Sequence, residues 1–166
     1  FRRAALSEPG LGYYRGGAAK FGPAGDFVTA PEISGLFGAC IATQCAQWFA
    51  QVSARVLEFG AGSGALAADL LGELARLGHP QVDYAIVEVS GELRERQQRT
   101  LRERVPALAG QVRWLDRWPD EIEGVVLGNE LLDAMPARAF RLREGRVFER
   151  GVVLASAPAD AVAALE

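Results

Sequence analysis

A run of glycines separates an apolar segment from a leucine-rich segment in the stretch VLEFGAGSGALAADLL, at positions 56–71. Gly60, Gly62 and Gly64 occupy alternate positions within it. Because glycine loses more conformational entropy on folding than any other residue, three glycines this close together indicate a backbone that turns tightly and that another group approaches closely. The apolar run before them and the helical spacing of leucines after them predict a strand, a tight turn and a helix.

The alternation of strand and helix continues along the chain. We predict a helix from residue 31 to about 51, strands at 55–59, 84–89, 112–115 and 124–127, helices at 65–77 and 91–104, a hairpin from 140–143 and 146–153, and the start of a helix in the alanine-rich segment 155–166. Apolar strands separated by helices are typical of a parallel sheet that is covered on both faces. The sequence therefore predicts an α/β fold, a doubly wound, mostly parallel Rossmann-like sheet.

Composition limits what this chain can bind. Its 166 residues are enough for one core, and its formal net charge of −3 offers no bulk positive field for nucleic acid. Cys40, Cys45 and His79 form no motif with the spacing of metal ligands, so we expect no metal site. The stretch 33–54 is free of charge, but its serine, threonine and glutamine residues favour a buried helix over a membrane span.

Acidic and amide side chains stand where the predicted strands end. They are Glu58, Glu88 and Asp116 at the ends of the first three strands, and Asn129, Glu130 and Asp133 after the fourth. Ligands of doubly wound sheets bind beyond the carboxyl ends of the strands. Glu88 is placed to accept hydrogen bonds from ribose hydroxyls, and Asp116 to accept one from an adenine amino group. This pattern predicts an adenosine site.

The glycine spacing fits two kinds of adenosine cofactor. Gly60, Gly62 and Ala65 satisfy the G-x-G-x-x-A spacing of dinucleotide-binding proteins. Glu58, however, puts a negative charge where a pyrophosphate would bind, whereas a cationic amino-acid portion would be attracted to it. With Gly64, these residues also form E-x-G-x-G-x-G, which resembles the first motif of S-adenosylmethionine-dependent methyltransferases. A tight turn without a ligand is a further alternative, but it leaves the acids on the next strands unexplained.

Five segments follow one another in a distinctive order. They are GLGYY at 10–14, GDFVTAPEISGLFG at 25–38, LEFGAGSGALAADLL at 57–71, VEVSGELRERQ at 87–97 and GNELLDAMPARAF at 128–140. Together they resemble the MidA-like family of S-adenosylmethionine-dependent methyltransferases, which includes the mitochondrial complex I assembly methyltransferase. The resemblance extends to about residue 153 and implies a Rossmann-like methyltransferase domain that uses S-adenosylmethionine and releases S-adenosylhomocysteine.

The resemblance also implies roles for individual residues. Glu58, Gly60, Gly62 and Gly64 are expected to contact the methionine end and the backbone side of the cofactor, Glu88 the ribose, and Asp116 the adenine region. Asn129, Glu130 and Asp133 are expected to line the transfer site as the catalytic residues. If the acceptor is an arginine, carboxylates such as Glu130, Asp133 or Glu32 can orient its guanidinium and offset the charge repulsion with the sulfonium donor. The alternative for Asp133 is a helix N-cap.

Two parts of the chain are distinguished on the same basis. Residues 1–32 are predicted to form an irregular segment that folds over the site as a lid, with a structural wrap around the domain edge as the alternative. Residues 33–166 are predicted to form the cofactor-binding domain. Members of the family are much longer, so we expect a partial domain whose sheet lacks further strands at the C-terminus.

The resemblance implies a function in protein arginine N-methylation linked to the assembly of respiratory complexes. The expected partner is a protein substrate such as a subunit of complex I. The lysine-poor composition resembles a bacterial member of the family, for which we expect a cytoplasmic location, while eukaryotic relatives are expected in mitochondria. A methyltransferase with a different acceptor, a nicotinamide-dependent oxidoreductase and a non-catalytic assembly factor remain as alternatives.

Overall fold

Two compact units make up the chain, and one of them carries the glycine run. The structure is a computed structural model that describes residue 12, residues 28–132, residue 135 and residues 137–152. Its units are Ala18–Leu131, which contains a parallel sheet, and Phe1–Gly17 together with Leu132–Glu166, which contains a hairpin. The boundary that we predicted after residue 32 stays a prediction.

Four strands form a parallel sheet in the order β3–β2–β1–β4. They are β1 Arg55–Phe59, β2 Asp83–Val87, β3 Arg113–Leu115 and β4 Val125–Gly128. In this register Val56 of β1 pairs with Tyr84 on one side and with Val125 on the other. The strand order therefore reverses across β1, and the carboxyl ends of β1 and β4 meet at the switch point where open α/β sheets bind their ligands.

Helices cover one face of this sheet, which we call the helix-covered face. A short helix α1, Ala30–Ile33, precedes the three long helices α2 Gly35–Trp48, α3 Ala65–Arg76 and α4 Gly91–Arg104. Their buried residues, among them Cys45 of α2, Leu70 of α3 and Leu101 of α4, form one core with Val56 and Tyr84 of the strands. The leucine spacing of α3 predicted this buried stripe. Within the part of the chain that the structure describes, no helix is long and apolar enough to cross a membrane.

The opposite face of the sheet carries the connection from β3 to β4. Leu57 and Phe59 belong to a second, smaller core there, because successive strand residues point to opposite faces. The connection from β3 runs back past β2 and β1, so the right-handed crossover rule puts it on this second face. Trp118 of the connection fits this rule, since its ring centroid lies 3.9 Å from that of Phe59.

The sequence predicted most element bounds to within two residues, but the first predicted helix was wrong. Instead of a single helix from residue 31, the chain forms α1 and α2 with a break at Ser34. Ser34 is extended, with φ −157° and ψ 136°, and its hydroxyl accepts a hydrogen bond from the Leu36 N–H. A serine that caps the following helix in this way cannot also continue the preceding one.

The second unit contains the predicted antiparallel hairpin, of β5 Phe140–Arg143 and β6 Arg146–Glu149. The second strand was predicted to run to residue 153, but it ends at Glu149. Both residues of its turn, Glu144 and Gly145, have positive φ, at 51° and 75°. Two left-handed residues give the type I′ turn that matches the twist of paired strands. The helix predicted at 155–166 lies outside the described residues.

Candidate functional site

The glycine run forms the turn between β1 and α3. Gly60, Gly62 and Gly64 have positive φ of 65°, 54° and 85°, a region that residues with side chains rarely adopt. Gly64 also lies against α4, because a Cβ built on it would stand 3.0 Å from the Cα of Gln97. The close approach inferred from the sequence is therefore, at Gly64, an approach by the protein's own backbone.

Glu58, on the strand before this turn, is buried on the helix-covered face. It is 2% exposed, and its Oε2 accepts a hydrogen bond from the Tyr84 hydroxyl at 2.7 Å. Burial raises the pKa of the Glu58 carboxyl to about 7, although the hydrogen bond from Tyr84 lowers it in part. Burial also raises the pKa of Tyr84, and the neighbouring Glu58 adds to that rise. The predicted contact of Glu58 with the methionine end of the cofactor stays a prediction.

Glu88 follows β2 and is held in place by two hydrogen bonds. Its Oε1 accepts from the backbone N–H of Ser90 at 2.9 Å, and its Oε2 accepts from Nε2 of Gln97 at 3.2 Å. The residue is 7% exposed. An ionised carboxylate offers about four lone-pair sites, so these two bonds leave acceptor capacity for ligand hydroxyls. The geometry fits the ribose contact that the sequence predicted, and that contact stays a prediction.

Gln97 is a residue of this site that the sequence did not predict. It lies in α4, a helix rich in charged residues, yet its exposed fraction is 0%. Its side chain bonds to Gly62 of the glycine turn, to Glu88 and to Trp114 of β3. The available signal was its spacing, because Gln97 stands four residues before the buried Leu101 and so shares its face.

Asp116 lies beyond the end of β3 and is paired with an arginine of α4. Its side chain is 88% exposed, and its Oδ1 lies 2.6 Å from Nη2 of Arg94. The same guanidinium donates to the carbonyl oxygens of Glu88 and Leu115. Arg94 therefore ties together the ends of β2 and β3. The predicted adenine contact of Asp116 stays a prediction.

Asn129 and Glu130 directly follow β4, on the other side of the switch point. Glu130 is exposed and has a φ of 50°. A left-handed conformation is uncommon for a residue with a side chain and marks the turn at the end of β4. Leu131 packs back towards the glycine turn, where a Cβ on Gly60 would meet its Cδ1 at 2.8 Å. Asp133, the third predicted catalytic residue, lies outside the described residues.

The segment before α2 reaches the glycine turn through Glu32. The Glu32 carboxylate accepts a hydrogen bond from the Ser63 hydroxyl. The Ser63 hydroxyl oxygen in turn accepts from the N–H of Ala65, the first residue of α3, at 3.3 Å. Glu32 is thereby placed beside the predicted cofactor loop. Residues 1–11 and 13–27 of the predicted lid lie outside the described residues.

The chemistry of the site rests on carboxylates and backbone groups. Within the described ranges, no three His, Cys, Asp or Glu side chains form a group that could hold a metal ion. Glycines that admit close approach, together with a buried acid at the end of the next strand, can hold an adenosine-containing ligand. Acidic groups around the switch point can also bind a cationic one.

The fold and the site define a Rossmann-like nucleotide-binding domain. A family model described as "Putative S-adenosyl-L-methionine-dependent methyltransferase" matches residues 40–164, and the chain belongs to this family. The family predicted from the sequence is thus confirmed, and the predicted cofactor is the one that the family's description names.

Relatives and a solved structure agree with this assignment. The mitochondrial protein arginine methyltransferase NDUFAF7 homolog of Caenorhabditis elegans is 30% identical over 84% of the chain, and its Mus musculus counterpart is 32% identical over 85%. A crystal structure of a Burkholderia thailandensis protein bound to S-adenosylhomocysteine is 50% identical, covers 93% of the chain and has a TM-score of 0.82. The chain spans 38% of the length of both NDUFAF7 relatives and 41% of the Burkholderia chain.

Proposed function

We propose that this chain forms the donor-binding part of an S-adenosylmethionine-dependent methyltransferase whose acceptor is a protein arginine. The observation that carries the proposal is the Glu88 carboxylate, which is buried after β2 and keeps acceptor capacity beside the glycine turn. The family description and the S-adenosylhomocysteine named with the Burkholderia structure support the identity of the ligand. The names of the NDUFAF7 relatives support an arginine acceptor.

The residues of the site fit such a ligand. Glu88 would accept hydrogen bonds from ribose hydroxyls, and the turn at Gly60 and Gly62 would let the ligand approach the backbone. Asp116 would lie by the adenine. Glu32, whose carboxylate accepts from the Ser63 hydroxyl of the glycine turn, would favour the cationic amino-acid end over a pyrophosphate. Glu58, two residues before Gly60, would add to this where its carboxyl is ionised. When bound, S-adenosylmethionine supplies an electrophilic methyl group on a sulfonium.

The remaining task of the protein is to position the acceptor. An in-line displacement depends on alignment of the two reacting groups more than on a strong base. Asn129 and Glu130 follow β4 at the switch point, where Glu130 would orient a guanidinium through charge-assisted hydrogen bonds. Asp133 would contribute a second carboxylate. Negative charge there also offsets the repulsion between a cationic acceptor and a cationic donor.

Donor binding is tested by calorimetric titration of S-adenosylhomocysteine into protein expressed from its complete coding sequence. We expect micromolar binding by the wild type, a loss of at least tenfold in Glu88→Ala and no loss in Glu92→Ala, a matched change on the exposed start of α4. Absence of binding by the wild type would overturn the proposal and favour a non-catalytic assembly factor. Binding of a nicotinamide dinucleotide in its place would favour an oxidoreductase.

The acceptor is tested separately by mass spectrometry of methylated arginine in candidate protein substrates. We expect Glu130→Gln to keep its affinity for S-adenosylhomocysteine and to lose turnover, whereas Glu121→Gln, an exposed acid in the β3–β4 connection, keeps both. Methylation confined to small molecules or to other side chains would exclude the arginine acceptor. A subunit of a respiratory complex is the first substrate to examine, and a bacterial cytoplasmic location is part of the same proposal.

A further inference from the structure

One amide side chain connects three strands at the proposed donor site. Gln97 donates from Nε2 to the carbonyl oxygen of Gly62 and to Oε2 of Glu88, both at 3.2 Å. Its Oε1 accepts from the indole N–H of Trp114 at 2.9 Å. The glycine turn after β1, the acid after β2 and the tryptophan of β3 are thus held by a single side chain.

The three partners fix the orientation of this amide. A peptide carbonyl and a carboxylate can only accept hydrogen bonds, and an indole N–H can only donate one. The NH₂ group must therefore face Gly62 and Glu88, and the oxygen must face Trp114. Leaving any of these buried partners without its hydrogen bond would cost free energy, so the three bonds hold the amide in one orientation. An ionised glutamate at position 97 would place an acceptor against the Gly62 carbonyl and the Glu88 carboxylate, which are themselves acceptors. A methionine there would offer no polar group to any of the three partners.

The two groups that Gln97 holds are those on which the proposed function depends. Its bond to Glu88 fixes one carboxylate oxygen, while Ser90 fixes the other. Its bond to the Gly62 carbonyl fixes the peptide that joins Gly62 to Ser63. Because the C=O and N–H of a trans peptide point in opposite directions, the N–H of Ser63 is then directed away from Gln97.

We infer that Gln97 is a positioning residue for the adenosine ligand, acting through the Glu88 carboxylate and the Gly62–Ser63 peptide. The inference rests on the proposed function, since it needs a ligand that these groups bind. Gln97 has no catalytic part in it. Its role is to hold the ribose acceptor and the glycine turn in one fixed relation before the ligand arrives, which reduces the ordering cost of binding.

The test compares two neighbouring glutamines by the same titration with S-adenosylhomocysteine. Gln97→Met keeps the length of the side chain and removes its polar atoms, and we expect about a tenfold loss of affinity or more. Gln98→Met is the matched control, because the hydrogen bond that Gln98 Oε1 accepts, at 3.4 Å, comes from the exposed Arg102 of the same helix. We expect that variant to bind like the wild type. Thermal melts establish that both variants are folded.

A double-mutant cycle separates positioning from a general structural role. If Gln97 acts through Glu88, the loss in the Gln97→Met, Glu88→Ala double variant is at least about threefold smaller than the product of the two single losses. Independent losses that multiply would overturn the inference. Equal affinities for Gln97→Met and Gln98→Met would also overturn it, whereas a wild type that binds no S-adenosylhomocysteine would overturn the proposed function instead.

A second variant keeps the test decisive if Gln97→Met does not fold. Gln97→Glu places a carboxylate against the Glu88 carboxylate, which disfavours the charged form and raises the pKa of the introduced group. Protonation restores a donor at that position. We expect its affinity, relative to wild type, to be lowest at about pH 8 and to recover by about pH 6. A ratio that does not change with pH would contradict the inferred contact.

Discussion

Replacement of Glu58 by glutamine removes a carboxyl group whose titration is coupled to unfolding. The group is 2% exposed, and burial raises its pKa from an ordinary value of 4.5 to about 7. The folded state therefore holds a proton on Glu58 that the unfolded chain releases between these two pH values. Below pH 4.5 the carboxyl is neutral in both states, so the stabilisation by the raised pKa is fully present there and is lost as the pH rises towards 7.

The size of this effect follows from the shift. One pKa unit corresponds to about 1.4 kcal/mol, so a rise from 4.5 to about 7 gives about 3 kcal/mol. Glutamine has nearly the same shape, does not titrate, and can still accept the hydrogen bond from Tyr84. We expect the free energy of unfolding of the wild type, measured relative to Glu58→Gln, to fall by about 3 kcal/mol between pH 4 and pH 8.

The assay is urea denaturation of both proteins across this pH range, with the slope of unfolding free energy against urea checked for constancy. Glu73→Gln is the control, because the hydrogen bond from Arg76 lowers the pKa of Glu73. The stabilisation that Glu73 contributes is present above its pKa in the unfolded chain and is lost as the pH falls. The unfolding free energy relative to Glu73→Gln therefore changes with pH in the direction opposite to that expected for Glu58. If the difference in unfolding free energy between the wild type and Glu58→Gln stays constant with pH, the reasoning about burial is refuted.

Three further substitutions have outcomes set by close contacts or caps. We expect Gly38→Ala to lower the unfolding free energy by about 1–3 kcal/mol in urea denaturation, because a Cβ there would stand 2.4 Å from the Cβ of Asp69. Ser90→Ala removes the hydroxyl that caps α4 and should cost about 1 kcal/mol in the same assay. Gly64→Ala combines a φ of 85° with a 3.0 Å approach to the Gln97 Cα, and should weaken S-adenosylhomocysteine binding in calorimetry as well as lower the melting temperature. Unchanged stability in any of the three would contradict the contact on which it rests.

Elements with strong local signals could be predicted from the sequence. The strand Arg55–Phe59 and the helix Gly91–Arg104 have the bounds that the sequence predicts. The first is an apolar run before glycines, and the second begins after the cap Ser90 and ends before Pro106. The break at Ser34 was missed because the proline at the start of α1 and the apolar spacing of α2 indicated one helix, while the competing hydrogen bond of Ser34 is a local geometric detail.

Some residues of the candidate site could likewise be predicted from the sequence, and others could not. The glycines and Glu88 could be found because they follow strand ends, and strand ends are readable from apolar runs. The contacts of Gln97 could not be predicted from the residues next to it in sequence, since its partners Gly62 and Trp114 lie 35 and 17 residues away along the chain. Charged residues dominate the sequence of α4, a composition typical of a solvated helix. One face of α4 is buried because the helix packs against the sheet, where Gln97 contacts Trp114 of β3 and β3 pairs in parallel with β2.

β4 is joined to β1 by contacts that are distant along the chain. The Ser53 hydroxyl donates to the Glu123 carboxylate, 70 residues later, and Arg55 lies 3.5 Å from the same carboxylate. Closing so long a loop costs chain entropy before its contacts compensate, which slows the step relative to the pairing of β1 with β2.

The switch point exists only once β4 has docked beside β1, and we expect this long-range pairing to be slow. A sheet made of β1 to β3 alone would possess the glycine turn and Glu88, but it would lack the opposite wall at Asn129. A ligand that needs both walls would select the completed sheet and shift the population of chains towards it. Ligand binding and the docking of β4 would then be thermodynamically linked, so that each would favour the other.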